Sequence, residues 1–223
     1  HYILKLSFFY FVNSYLILFY LGFIKKDYNT FQAYLKSLFI TTQIIGNVIE
    51  AAKPIIIKCF KQAKHLNDHV NNWKFDYSLA SPTPVFFEYL ELVIQFGYIC
   101  LFSFAWPLAG LFAFFNNFIE IRLDSYKLCV TCKRPDMLTS PGIGIWYNIL
   151  QFVSFVGVIT NFAFLYIYKV DDIQSLCSHI PAWLLIVFTE HLFIIMKLLF
   201  MYIISDVPFS VVQSRRRGKL YIL

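Results

Sequence analysis

Charge is scarce in this sequence. Only 14% of its 223 residues are Asp, Glu, Lys or Arg, against about 25% in soluble domains. With 59% hydrophobic residues, 20% aromatic residues and a mean hydropathy of +0.62, there is too little polar surface to cover a water-soluble globule of this size. Eight glycines and eight prolines exclude a collagen-like chain, and the aromatic content excludes disorder. Five cysteines in a chain this long do not make a disulfide framework. There is no glycine-rich phosphate loop, no nucleophile–base–orienter set, no internal repeat and no low-complexity tract, so nothing points to an enzyme. No signal peptide precedes the first apolar run, and a start at His1 rather than Met reads as a piece of something longer. What remains is an all-α, polytopic membrane protein.

Six apolar runs approach the roughly 20 residues that a helix needs to cross a bilayer. They cover about 6–24, 34–57, 85–106, 111–130, 145–168 and 182–205. The runs are continuous rather than alternating, which argues against transmembrane strands. The net charge of +6 would suggest nucleic-acid binding in a soluble protein. Here the basic residues fall where positive charge marks cytosolic loops, and no nucleic-acid partner is expected. Lys58, Lys61, Lys64 and Lys74 follow the second run; Lys127, Lys133 and Arg134 follow the fourth; Arg215, Arg216, Arg217 and Lys219 follow the sixth. These clusters alternate as they should, with Lys25 and Lys26 a mild exception. The expected topology is six spans with both ends in the cytosol.

The anomaly is acid inside the spans. An ionised carboxylate near the bilayer centre costs at least ~2.5 kcal/mol, so it generally has a partner and a function. Glu88 and Glu91 are three apart on one helix face. Asn116, Glu120 and Asp124 form a second stripe at four-residue spacing, and Glu50 lies in the last third of the second run. In the expected topology all five carboxylates sit at similar depth in the cytosolic half of the membrane. Arg122 is the one cation counted among them, and it points about 200° around the helix from Glu120. Five such charges need neutralising. Protons in a water-filled vestibule are one solution. A hard divalent cation is the other: Ca²⁺ takes six to eight oxygens, and two ions, about +4, would nearly balance about −5. Spacing alone leaves both open.

Weaker signals carry bland readings. Cys129 and Cys132 form a lone CxxC, and His65 and His69 are four apart without a third ligand; neither makes a zinc site. Polar residues on the first two runs (Asn13, Ser14, Thr41, Thr42, Gln43 and Asn47) fit interhelical hydrogen bonding as well as a polar path.

A longer pattern coincides with the acids. Glu88-Tyr-Leu-Glu91, Gln95-Phe-Gly97, Pro107-Leu-Ala, Asn116-Asn-Phe-Ile-Glu120-Ile-Arg-Leu-Asp124, Lys133-Arg-Pro135 and Gly144-Ile-Trp146-Tyr-Asn148 resemble the anoctamins, the transmembrane protein 16 family of calcium-activated chloride channels and lipid scramblases. Phe11-Val-Asn-Ser-Tyr15 resembles that family's fifth transmembrane helix, and Asp206-Val-Pro208 the end of its tenth. The resemblance spans essentially residues 1–223 and implies helices five to ten of a ten-helix fold, with a cytosolic domain and four helices outside it. It places Glu50, Glu88, Glu91, Glu120 and Asp124 at the family's Ca²⁺ ligands, for two ions per subunit. The family's sixth-helix asparagine ligand, one turn before Glu50, falls on Gly46; Asn47 is adjacent but about 100° away. Asp206 falls near an additional Ca²⁺ site, where Ser210 stands in place of a second acid. Leu38-Phe-Ile-Thr-Thr-Gln43-Ile, Lys127-Leu-Cys129 and Glu190-His191 with Lys197 resemble the anoctamin-10-like branch most.

The resemblance implies a phospholipid scramblase gated by Ca²⁺, with Asn13, Ser14, Thr41, Thr42 and Gln43 along a lipid-facing groove. It implies a homodimer through the last helix, with Glu190, His191 and Lys197 at the interface, in the endoplasmic reticulum or plasma membrane. A Ca²⁺-activated chloride channel on the same scaffold is the first alternative, a membrane-contact tether the second, and a proton-coupled transporter a third.

Overall fold

The computed structural model describes residues 2–65, 77, 79–133, 142–176, 180–204, 211 and 213–214, leaving aside the side chains of 2, 50, 53, 54 and 61–65. Six long helices account for most of them: α1 (Tyr2–Phe19), α2 (Tyr28–His65), α3 (Val85–Leu101), α4 (Ala109–Tyr126), α5 (Ile145–Leu176) and α6 (Ala182–Ile203). Two π-helical turns continue α1 and α4, at Tyr20–Lys25 and Lys127–Thr131. Among the described residues the only β pairing is an isolated bridge between Ala80 and Cys132. The fold is all-α. The chain forms two compact units, residues 1–169 and 170–223.

The helix boundaries follow local chemistry. At the start of α2, Asp27 accepts hydrogen bonds from the Thr30 hydroxyl at 2.6 Å and the Thr30 N–H at 3.2 Å, an N-cap arrangement. Those two bonds, the hydroxyl's first, hold the Asp27 carboxyl below the usual carboxylate range. Pro84 and Pro181 sit just ahead of α3 and α6, where a missing N–H costs nothing. Gly144, at φ 59°, supplies the left-handed residue before α5.

The first unit is built on aromatics. Tyr15, Phe31, Phe39, Phe102 and Phe164 are fully buried, and their rings pack edge-on, tilted or stacked, as in Tyr15–Tyr98 at 5.0 Å between α1 and α3 and Phe23–Phe164 at 4.5 Å between the first π-helical turn and α5. Such pairs add roughly 0.5–1.5 kcal/mol each beyond the area they bury. The Tyr15 hydroxyl donates to the Ile94 carbonyl at 2.8 Å, tying α1 to α3.

The end of α3 is closed by α5. Asn161 donates to the carbonyls of Cys100 and Gly157, both at 2.6 Å, and accepts from the Ser103 hydroxyl at 2.9 Å and the Phe104 N–H at 2.8 Å. Thr160 donates to the Leu101 carbonyl at 3.1 Å. One amide thus satisfies groups that the end of a helix leaves open. Asn161→Ala should lower the thermal midpoint in detergent by several degrees, because each stranded buried polar group costs ~1–3 kcal/mol. Ser103→Ala, which leaves the backbone partners in place, should cost clearly less.

In the second unit, the Gln174 side chain accepts from the Ala182 N–H at 2.7 Å and so caps α6. Along α6, Trp183, Leu184, Phe188, Leu192 and Phe193 are exposed, a surface suited to lipid or another apolar partner.

Among the described residues, three helical stretches are long and apolar enough to cross a membrane: Ile3–Lys25, Ile145–Leu176 and Ala182–Ile203. This makes an integral, multi-pass membrane protein. The remaining three are shorter or more polar. α3 has 17 residues, with Glu88 and Glu91 near its start. α4 has 18 and carries Glu120, Arg122 and Asp124.

Candidate functional site

The acidic stripes of α3 and α4 meet around a lysine. Lys127 begins the π-helical turn that extends α4, and it is buried, at 6% exposure. Its Nζ lies 3.1 Å from Glu88 Oε1 and 2.7 Å from Asp124 Oδ1, so one ammonium joins carboxylates of two helices. The Thr83 hydroxyl also donates to Glu88. The lysine end of these pairs is buried while Glu88 and Asp124 stay partly exposed, and a buried ammonium is tolerated only when geometry and partners compensate for lost hydration.

The second acid of α4 is held differently. Glu120 is buried, and Asn116 donates to its Oε2 at 3.2 Å. Asn116 in turn accepts from the Asn47 amide at 2.9 Å. This chain of amides links α2 to α4. Asn47 Oδ1 is buried and has no hydrogen-bond partner among the described residues. Asn47, adjacent to the expected ligand position, therefore reaches the acidic stripe of α4, while Gly46 faces α3: a Cβ at Gly46 would stand 3.9 Å from Glu91 Oε1.

Glu91, Glu88, Lys127 and Gly46 line a cavity of about 420 Å³, together with Ala80, Ser81, Thr83 and Cys132. A neighbouring cavity of about 360 Å³ shares Gly46 and Glu91 and adds Thr42, Gln43, Gln95 and Tyr98. Gln43 reaches a third hollow with Asn47 and Asn116, and its Nε2 is buried without a hydrogen-bond partner among the described residues. Polar groups of α2 thus run along the acidic face of α3 and α4.

Glu88 and Asp124 are thus brought together on Lys127, Glu91 shares a cavity with Glu88 and Lys127, and Glu120 is reached from α2 through Asn116 and Asn47. Glu50 lies on α2 one turn beyond Gly46, and its side chain falls outside the described residues, as does Asp206 entirely. Among the described residues no group of three or more His, Cys, Asp or Glu side chains is arranged to hold a metal ion. The oxygen donors nevertheless suit a hard cation: carboxylates and a buried amide oxygen lacking a donor.

The other predicted residues are spread over the surface. Asn13, Thr41 and Thr42 are exposed, Ser14 is half-buried, and the Thr42 hydroxyl donates back to the Leu38 carbonyl at 2.6 Å. On α6, Glu190 and Lys197 are half-buried and His191 is exposed, with Nδ1 2.8 Å from the Val187 carbonyl.

Lys127 is the residue that charge counting assigned to a loop. The helix carries straight through it, and it stands seven residues after Glu120 and three after Asp124, on the same face. Arg122 is not the sole cation near the acids, as the sequence suggested. It is exposed and lies over the Phe118 ring at 5.9 Å. The i, i+4, i+7 spacing of Glu120, Asp124 and Lys127 was the signal that could have found it.

A family model described as "Anoctamin: Calcium-activated chloride channel" matches residues 1–218. Anoctamin-10 of Mus musculus is 31% identical over 228 residues, covering 97% of this chain and 35% of the relative. Anoctamin-10 of Homo sapiens is 32% identical over 220 residues, covering 93% and 33%. Anoctamin-7 of Mus musculus is 40% identical over 134 residues, covering 58% and 16%. The chain spans about a third of the length of the two anoctamin-10 relatives.

Proposed function

Because this chain belongs to the anoctamin family, we propose that it is the calcium-sensing part of a calcium-activated phospholipid scramblase. The observation that supports the reading is that Glu88 and Asp124 share one ammonium, Glu91 lines the same cavity as Glu88, and Glu120 is joined through Asn116 to Asn47 of α2, whose own oxygen lacks a partner among the described residues. Glu50 completes the set from α2. Bound Ca²⁺ would supply a compact positive charge there, which turns repulsion among carboxylates into attraction. Glu88 and Glu91 present that face from α3, and Glu120 and Asp124 from α4. Asn47 and Glu50 couple it to α2.

α2 is suited to move. Pro54 has no N–H for the Glu50 carbonyl, so the helix lacks one bond at the level of the site. Gly46 adds a second weak point one turn earlier. Along the same helix, Thr41 and Thr42 are exposed among apolar neighbours, as is Asn13 on α1. Polar side chains exposed on membrane-spanning helices suit a polar route, here for lipid headgroups. All six helices cross the bilayer in this reading, with the carboxylates on the cytosolic side. A second copy packs on α6 near Glu190, His191 and Lys197.

The description of the matching family favours a second reading, an anion channel on the same scaffold. Liposomes holding the full-length protein separate the two. Fluorescent-lipid exchange between leaflets and chloride flux are followed on the same vesicles during a Ca²⁺ titration. Calcium-dependent lipid exchange is the expected result. Chloride flux without lipid exchange would replace scramblase by channel, and no calcium response in either would favour a tether.

A further inference from the structure

The buried ammonium of Lys127 is the feature that the calcium reading leaves unexplained. It neutralises two of the expected ligands, Glu88 at 3.1 Å and Asp124 at 2.7 Å. A lysine of this burial has given up most of its hydration and is retained through its carboxylate partners. Its backbone is pinned: the Lys127 carbonyl accepts the Thr131 hydroxyl at 2.9 Å and the Cys132 N–H at 3.0 Å, and Cys132 pairs with Ala80. The side chain is the movable part. It is a flexible four-carbon stem on the wall of a cavity of about 420 Å³ that also holds Glu88 and Glu91.

We propose that Lys127 is a tethered stand-in cation, held between Glu88 and Asp124 until calcium displaces its ammonium, and that this exchange sets the calcium affinity. The inference rests on the calcium reading of the cluster. A divalent ion and an ammonium cannot both occupy contact distance of the same oxygens without strong repulsion. Entry of the ion therefore breaks both lysine contacts, and their loss is subtracted from the affinity. In exchange, the lysine keeps the carboxylates of α3 and α4 from repelling one another when calcium is absent.

The test uses the full-length protein in detergent and measures direct binding of Ca²⁺ by calorimetry. Lys127→Met should bind calcium about tenfold more tightly than the unaltered protein, and its thermal midpoint in chelator should fall. Lys127→Arg, which keeps the charge, should not gain affinity. Unchanged or weaker binding by Lys127→Met, with measurable binding by the unaltered protein, would overturn the exchange alone. No binding by either would overturn the calcium reading and this inference with it. A second measurement needs no variant. Acetic anhydride labelling of Lys127, followed by peptide mass spectrometry, should be faster in saturating Ca²⁺ than in chelator. Equal labelling in both would overturn the displacement.

Discussion

Glu120→Gln should shift the calcium concentration for half-maximal lipid exchange upward by on the order of a hundredfold, equivalent to ~2.7 kcal/mol of binding free energy. Glu120 is buried and receives a hydrogen bond from Asn116, so glutamine preserves the shape and removes the charge. Asp124→Asn should produce a shift of similar size, yet the two variants should differ when calcium is absent. Asp124 is paired with the buried Lys127 at 2.7 Å. Its neutralisation leaves that ammonium under-compensated and should lower the thermal midpoint in chelator. Glu120→Gln removes one negative charge from an acidic cluster and should leave that midpoint unchanged or higher. Arg122→Gln, an exposed cation over Phe118, is the control and should alter neither quantity. Flux titrations and thermal unfolding on the same preparations check all three. Equal calcium responses for Glu120→Gln and the unaltered protein would remove Glu120 from the site, and equal responses for Asp124→Asn as well would remove α4.

The acids themselves were legible because membrane burial makes a carboxylate expensive, and expense at fixed helical spacing is a readable signal. The apolar runs likewise marked where helices lie, though not where they stop. α2 continues to His65 and α5 to Leu176, well past the apolar runs, because a helix that leaves an apolar zone still satisfies its own backbone. The third run behaves oppositely. Phe102 to Trp106 is mostly apolar, yet α3 ends at Leu101 and the chain turns, because Asn161 and Thr160 on α5 supply the capping bonds from 57 and 59 residues away. No local pattern encodes that partner. Lys127 was hidden for a different reason. Positive charge after an apolar run reads as a cytosolic loop, and only its alignment with Glu120 and Asp124 reveals an internal role. Sequence separates Gly46 from Asn47 only by an angle; in the structure Asn47 bonds Asn116 on α4, and Gly46 faces Glu91 on α3.

Gly157→Leu should abolish recovery of folded protein, and Gly157→Ala alone should lower the thermal midpoint by well over five degrees. A Cβ at Gly157 would lie 2.8 Å from the Cys100 carbonyl oxygen and 3.1 Å from its carbon. These are backbone atoms of α3, which cannot rotate away as a side-chain tip can. Small residues allow such approach where helices pack in a membrane, and overpacking of a tight contact costs ~1–3 kcal/mol or more. The cost here spreads along a seam. Separating α5 from α3 at Gly157 also strains the Asn161–Cys100 bond at 2.6 Å and the Thr160–Leu101 bond at 3.1 Å. Gly110→Ala is the matched control: its Cβ meets only Ile99 at 4.0 Å, and alanine should be neutral or stabilising by up to ~1 kcal/mol. Wild-type stability of Gly157→Ala in a detergent melting series would show that α3 and α5 are not in backbone contact. The seam has a functional side. α3 carries Glu88 and Glu91 and is clamped to α5 at its far end, whereas α2 carries Gly46, Glu50 and Pro54. In the mechanism proposed above, a calcium-dependent rearrangement would have one rigid wall and one compliant one. A Gly157→Ala protein that still folds should show a weaker calcium response, because a wall that gives way no longer converts ligand attraction into movement of α2.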